Sequence, residues 1–229
     1  MTKTIAITGC SRGIGKETVQ CLLDQGHEVI ALSRNCDGLK ELATNFSMLS
    51  PMELDISEPL GRKQVIDFLD ENNKRLDGVI HNAGLLLNKP FEETTMEDMI
   101  SVYTVNVFSV SELTRQLLPY FKSNAHVLAI SSMGGIQGSM KFPGLAAYSS
   151  SKGALITLME LLAEEFKDKK LSFNTLALGA VQTEMLNEAF PGYQASVSPQ
   201  TMGAYVAQFA LKGQELYNGK VLQVSNSTP

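Results

Sequence analysis

No apolar run in this 229-residue chain approaches the ~18 residues that would carry a helix across a bilayer. The first periodic strand begins at about Lys3, which leaves no room for a signal peptide. A protein of the cytoplasm is expected on both grounds. Cysteine is scarce. Cys10, Cys21 and Cys36 have neither the density of a disulfide scaffold nor the spacing of metal ligands, so reduced thiols and no metal site are expected. Clustered positive charge is missing too: basic residues are scattered through a chain of net charge -5, which argues against nucleic acid and membrane surfaces as partners. With 44% hydrophobic residues and neither repeats nor low-complexity tracts, residues 1–229 read as one domain.

Strand and helix patterns alternate along the chain. Short apolar runs at Thr4–Ile7, Glu28–Leu32, Gly78–His81, Ala125–Ile130, Leu171–Leu178 and Lys220–Val224 predict buried strands, and another short strand is expected to end at Leu54-Asp55-Ile56. Helical spacing runs over Asp37–Phe46, Glu58–Asn72, Thr95–Phe121, the segment from Tyr148 and Pro199–Leu211. Short crossovers require parallel strands, so the expected fold is α/β, a doubly wound sheet of seven parallel strands with helices on both faces.

The first strand runs into Thr8-Gly9-Cys10-Ser11-Arg12-Gly13-Ile14-Gly15, followed by Val19, Leu22 and Leu23 at helical spacing. A strand, a glycine-rich turn and a helix start form an anion cradle in which diphosphate is the natural occupant. The second strand ends in Ser33-Arg34, where an acid would accept an adenosine 2'-hydroxyl and an arginine a 2'-phosphate. The acid is missing. With Arg12 in the glycine turn, Ser33 and Arg34 therefore predict NADP(H) in preference to NAD(H). Asp55 is placed to reach an adenine amino group, and the small residues of Asn82-Ala83-Gly84 would let the backbone lie against a cofactor. His81, inside a buried strand, reads as a structural histidine.

Ser131-Ser132 ends the fifth strand, at the carboxyl edge where open α/β sheets place ligands. Tyr148 and Lys152 stand four apart at the head of a helical segment, so phenol and ammonium share a face. Such a pair suits proton transfer, the ammonium being expected to pull the tyrosine pKa down from ~10. Taken alone, the spacing more often marks an exposed lysine beside a half-buried tyrosine at a helix start. Asn106 sits mid-helix between Val105 and Val107, where an amide competes for backbone groups and so needs a reason.

Together, Thr8-Gly9, Gly13, Gly15, Asn82-Ala83-Gly84, Asn106, Ser132 and Tyr148 with Lys152 resemble the short-chain dehydrogenase/reductase family in its short, single-domain branch, over nearly the whole chain. The resemblance implies a Rossmann-type fold and hydride transfer between a nicotinamide cofactor and a carbonyl or alcohol. It implies Tyr148 as acid/base, Lys152 holding the nicotinamide ribose and lowering the tyrosine pKa, Ser132 polarising the substrate oxygen and Asn106 anchoring a water. Gly9, Ser11, Arg12, Gly13, Ile14, Gly15, Ser33, Arg34, Asp55, Ile56, Asn82, Ala83, Gly84, Gly179, Val181 and Thr183 would complete the cofactor surface with Tyr148 and Lys152. Two departures stand out: Leu178-Gly179 replaces the usual Pro-Gly, and the loop between Ser132 and Tyr148 is longer than usual, near Lys141 and Phe142. A non-catalytic dinucleotide-binding sensor on the same fold is the alternative, and the complete Asn, Ser, Tyr and Lys set argues against it.

The segment 183–197 lacks clear periodicity and reads as a mobile lid. The segments expected to line the substrate pocket offer Lys89 and Lys141 as cations among apolar residues, so a neutral carbonyl or alcohol is expected. Broad apolar stripes on the helices containing Asn106 and Tyr148 suggest a homodimer or homotetramer.

Overall fold

The structure, a computed structural model, describes residues 1–226. Seven parallel strands form one sheet in the order β3-β2-β1-β4-β5-β6-β7. These are β1 (Thr4–Thr8), β2 (Glu28–Ser33), β3 (Leu49–Glu53), β4 (Leu76–His81), β5 (Phe121–Ser132), β6 (Ser172–Leu178) and β7 (Lys220–Val224). The helices are α1 (Gly13–Asp24), α2 (Asp37–Ala43), α3 (Pro59–Glu71), α4 (Met96–Tyr103), α5 (Ser109–Leu117), α6 (Ala146–Glu165), α7 (Glu184–Ala189) and α8 (Pro199–Lys212).

The period-2 alternation of each central strand feeds two cores. Ile5 and Ile7 of β1 face Val19 and Leu22 of α1 and Val206 of α8, whereas Ala6 faces the opposite layer of Val65 and Leu69 from α3, Leu113 and Leu117 from α5 and Leu155 and Met159 from α6. Burial on both faces explains why these strands read as continuous apolar runs. Strand order reverses at β1, which pairs with both β2 and β4, and that reversal opens a crevice beyond their carboxyl ends.

Two predicted boundaries move. The third strand stops at Glu53, short of Leu54-Asp55-Ile56, and contains Pro51. It pairs with β2 alone, and at a sheet edge the N–H that proline lacks is not needed. The long helical pattern from Thr95 is broken into α4, a π turn at Thr104–Phe108, α5 and a 3-10 turn at Leu118–Tyr120 containing Pro119. The segment 183–197 is partly ordered. It holds α7, capped by the Thr183 hydroxyl accepting from Leu186 N at 3.2 Å, and Val197 forms a bridge with Val181.

Candidate active site

Gly9 and Gly13 have φ of +68° and +56°, in the left-handed region open to glycine. A Cβ at Gly9 would lie 2.5 Å from Ala83 Cα, and one at Gly15 would collide with the Gly9 carbonyl. Such contact seats the glycine turn directly on the end of β4. The Thr8 hydroxyl accepts from the N–H groups of Asn82 and Ala83 at 3.1 and 3.0 Å, while Asn82 Nδ2 donates to the Thr8 and Gly9 carbonyls at 3.2 and 2.7 Å. Beyond the turn, α1 begins with no side-chain cap and no acid in its first turn. Ser11 and Arg12 are exposed there and Ile14 half-buried. Uncapped N–H groups beside a turn that no side chain fills are the donor set a dinucleotide diphosphate requires.

The other residues expected at a cofactor follow the strand ends. Ser33 is buried and Arg34 exposed at the end of β2; Ile56 is buried beyond β3. Asp55 Oδ1 accepts from the Ser57 N–H and hydroxyl at 2.8 and 2.6 Å, so it braces the turn into α3. At the other flank, Gly179 N donates to the Val224 carbonyl at 2.9 Å, extending the β6–β7 ladder one residue past Leu178. Val181 is buried, and Thr183 approaches the turn, its methyl 3.4 Å from where a Gly13 Cβ would stand. Arg12 forms a two-pronged pair with Glu188 of α7 at 2.5 and 3.1 Å.

Asn106, Ser132, Tyr148 and Lys152 converge at the carboxyl end of β4 and β5. The π turn widens the helix at Asn106, which is fully buried. Its Oδ1 accepts from Leu85 N at 2.8 Å, and Nδ2 donates to Leu85 O at 3.0 Å and Ser151 Oγ at 2.9 Å. That bracket is the reason a mid-helix asparagine is present. Gly84 lies between Asn106 and Lys152: a Cβ there would be 3.4 Å from Lys152 Nζ and 3.5 Å from Asn106 Oδ1. Lys152 is 4% exposed, and its Nζ donates to Ile130 O at 2.8 Å and lies 5.8 Å from the centre of the Tyr148 ring. The Ser132 hydroxyl neighbours the Tyr148 phenol and accepts from Gly134 N at 3.2 Å.

The expected depression of the Tyr148 pKa is corrected. Burial pushes the phenol up to about 12, opposed in part by the neighbouring Ser132 hydroxyl, and pushes Lys152 down to about 8. Desolvation outweighs the ammonium because the ammonium is directed to a strand carbonyl rather than to the phenolic oxygen. His81 is fully buried, its Nε2 2.8 Å from Thr114 Oγ1 and its Nδ1 without a partner among the described residues. Burial holds it neutral, with a pKa down to about 4. Cys10 is likewise buried and its thiol pushed up, the state of an inert residue.

Sequence reading gave no role to three residues that frame this site. Thr8 joins β1 to β4, Ser131 Oγ donates to the Lys152 carbonyl at 2.9 Å, and Ser151 Oγ donates to the Tyr148 carbonyl at 2.7 Å while accepting from Asn106. Their signal was present only as hydroxyls at positions that burial would otherwise fill with aliphatics.

A family model described as short chain dehydrogenase matches residues 3–194. An oxidoreductase of Botryotinia fuckeliana, BOA17, is 30% identical over 210 residues, covering 90% of this chain and 76% of its own. A 4-hydroxyisoleucine dehydrogenase solved with NADH superposes with a TM-score of 0.89 at 23% identity, over 99% of this chain and 98% of that one. The 3-ketoacyl-(acyl-carrier-protein) reductase of Brucella melitensis, also solved with NADH, gives 0.84 at 24% identity, over 97% and 96%. The expected preference for NADP(H) over NAD(H) is therefore corrected: these structures carry NADH. The phosphate grip inferred from sequence is also not assembled, since Arg12 is engaged by Glu188 and Ser33 is buried, leaving Arg34 alone in solvent. The seven-stranded fold, the glycine turn at the start of α1 and the family match lead to one assignment: this chain belongs to the short-chain dehydrogenase family and is an NAD(P)-linked oxidoreductase.

Proposed function

We propose that the protein transfers a hydride between NAD(H) and a small carbonyl or alcohol, with Tyr148 as acid/base. The observation that carries this reading is the meeting of Ser132, Tyr148 and Lys152 beside Gly84 and Asn106, one strand from the glycine turn. The nicotinamide, when bound, supplies or accepts the hydride. NAD(H) is chosen because the solved structures named above hold NADH, and because Gly9, Gly15 and the uncapped start of α1 suit its diphosphate.

With a pKa near 12, Tyr148 carries its proton at neutral pH and is a donor to a carbonyl oxygen in the reductive direction. Ser132, beside the phenol, is positioned to hold the same oxygen. Lys152 has one hydrogen bond among the described residues, to Ile130 O, so its remaining N–H groups are free for a ribose. Asn106 and Ser151 fix the first turn of α6, and so the height of Tyr148, through the Tyr148 carbonyl. Both amide hydrogens of Asn106 are engaged, so any relay water would use an oxygen rather than its Nδ2.

The same reading places the protein in the cytoplasm as a homodimer or homotetramer. No helix among the described residues is long and apolar enough to cross a membrane. Ile100 and Phe108 on the α4–α5 segment and Leu161 on α6 are 54%, 55% and 63% exposed, an apolar surface suited to a second copy. The test is NADH oxidation across a panel of carbonyl compounds, alongside direct NADH titration and light scattering. Turnover that Tyr148→Phe removes while NADH still binds supports the reading. Binding without turnover of any carbonyl favours the sensor, and a monomer at micromolar concentration removes the oligomer.

A further inference from the structure

The turn after Gly84, the loop leading into Tyr148 and α7 are tied together by residues 88–89. Asn88 Nδ2 donates to the Ala189 carbonyl at 2.8 Å, joining the turn after Gly84 to α7. Lys89 N donates to the Gly144 carbonyl at 2.9 Å, joining that turn to the loop just before Tyr148. Lys89 is thus anchored by its backbone to the loop that leads into Tyr148. Its ammonium is held by Asp98 of α4, Nζ to Oδ2 at 2.7 Å, with side chains 31% and 27% exposed. Asp98 cannot easily swing away, because the same oxygen accepts from Thr95 N at 3.0 Å in a capping box closed by the Thr95 hydroxyl on Asp98 N.

The other rim cations are engaged as well. Lys141 Nζ donates to Ile136 O at 2.6 Å and Ser139 Oγ at 2.7 Å, within its own loop, and Arg12 is held by Glu188. Around them the surface is apolar: Leu85, Leu86 and Leu87 are half-buried, and Met140 and Phe142 are 57% and 47% exposed. A carboxylate arriving here would meet no unpaired positive charge among these groups and would lie near the acids of α7.

We propose that Asp98 sets the charge selectivity of the site: by holding Lys89 at the rim, it leaves a roof suited to neutral, apolar carbonyls and alcohols and unfavourable to carboxylate-bearing ones. The inference rests on the catalytic reading given above. It assigns a specificity role to a residue outside the Asn106, Ser132, Tyr148 and Lys152 set.

The experiment compares kcat/KM for a matched pair of ketones differing by one carboxylate, at two ionic strengths, in the wild type, Asp98→Asn, Lys89→Gln and the double variant. Asparagine keeps an oxygen for Thr95 N, so the helix cap survives. The wild type should prefer the neutral ketone. Asp98→Asn should shrink that preference about tenfold through the KM of the anion, in a salt-sensitive way, and Lys89→Gln in the same chain should restore it. Lys89→Gln alone should keep the preference for the neutral ketone and widen it, since the Asp98 carboxylate loses its cation. Preference of the wild type for the anion, weakened by salt, would overturn the proposal, as would an unchanged ratio in Asp98→Asn. Calorimetric binding of the corresponding amide and carboxylate to the NADH complex keeps the two readings apart. Charge selectivity in binding with no turnover would sink the catalytic reading alone, whereas turnover without charge selectivity would sink this one alone.

Discussion

At the amino end of the sheet, Asp77 accepts from Thr4 N at 2.8 Å and pairs with Lys122 at 2.7 Å, while Glu28 takes the Thr4 hydroxyl at 2.8 Å and the Lys74 ammonium. At the carboxyl end of the same strands, Lys152 is buried with a single carbonyl acceptor and Tyr148 faces it across 5.8 Å. One end closes its charges on one another. The other end holds the Lys152 ammonium out of water beside a half-buried Tyr148, with donors unassigned, and burial moves Tyr148 up to about 12 and Lys152 down to about 8. The difference teaches where reactivity comes from in this fold: paired charges at the amino end hold strands in register, whereas incompletely paired ones at the carboxyl end are available to a ligand.

The comparison breaks most visibly at Tyr148. Tyr148→Phe should lower kcat by ~10² to 10⁴ with the melting temperature and NADH affinity nearly unchanged, because in the proposed mechanism the phenol serves proton transfer and the ring packing. Steady-state kinetics beside thermal unfolding would check it, and a variant retaining most of its activity would remove Tyr148 from the proton step.

Acid should probe both ends at once. His81, near the carboxyl end of β4, and His126, toward the amino half of β5, are both buried and both have pKa values lowered from 6.5 to about 4. The unfolded chain therefore takes up protons first. Stability is full above pH 6.5 and is lost as pH falls toward 4, by up to about 3 kcal/mol per histidine. Lys152 acts in the same sense at higher pH: its contribution is full above 10.5 and lost as pH falls through about 8. Denaturant midpoints measured across both windows test the signs, and a glutamine at either histidine should flatten the acid limb.

A smaller effect is expected at the amino end. Asp77→Ala leaves the buried Thr4 N–H without its acceptor and should cost about 1–3 kcal/mol of stability while kcat stays the same. Loss of activity at unchanged stability would reverse the assignment of roles to the two ends. Smallest of all, Glu188→Gln opens the exposed pair with Arg12. Exposed ion pairs contribute little, so the melting temperature should not move measurably, and NADH affinity should rise by no more than about threefold as Arg12 is freed. A large gain in affinity would make the pair a true gate over the glycine turn.

Much of the frame was legible because its signals are local. The glycines after β1, the apolar runs of the central strands and the spacing of Tyr148 and Lys152 each report a backbone geometry set within a few residues. Where the reading failed, the deciding partner lay elsewhere in the chain. Pro51 was compatible with a strand because β3 is at an edge, a fact of topology. Arg12 looked free for a phosphate until folding brought Glu188 to it from 176 residues away. The apparently aperiodic segment after Thr183 holds a helix because that threonine caps it and Val197 rejoins Val181.

By itself the sequence determined the seven-stranded α/β order, the glycine cradle and the residue types available for proton transfer, since these follow from propensity, periodicity and turn chemistry along a short stretch of chain. Tertiary structure alone decided their electrical state. Whether Tyr148 is more or less acidic than a free phenol depends on its burial and on where the Lys152 ammonium points, and whether Lys89 meets a substrate depends on Asp98 at the start of another helix. Desolvation and Coulomb interactions act through space, between groups that only the folded chain places side by side.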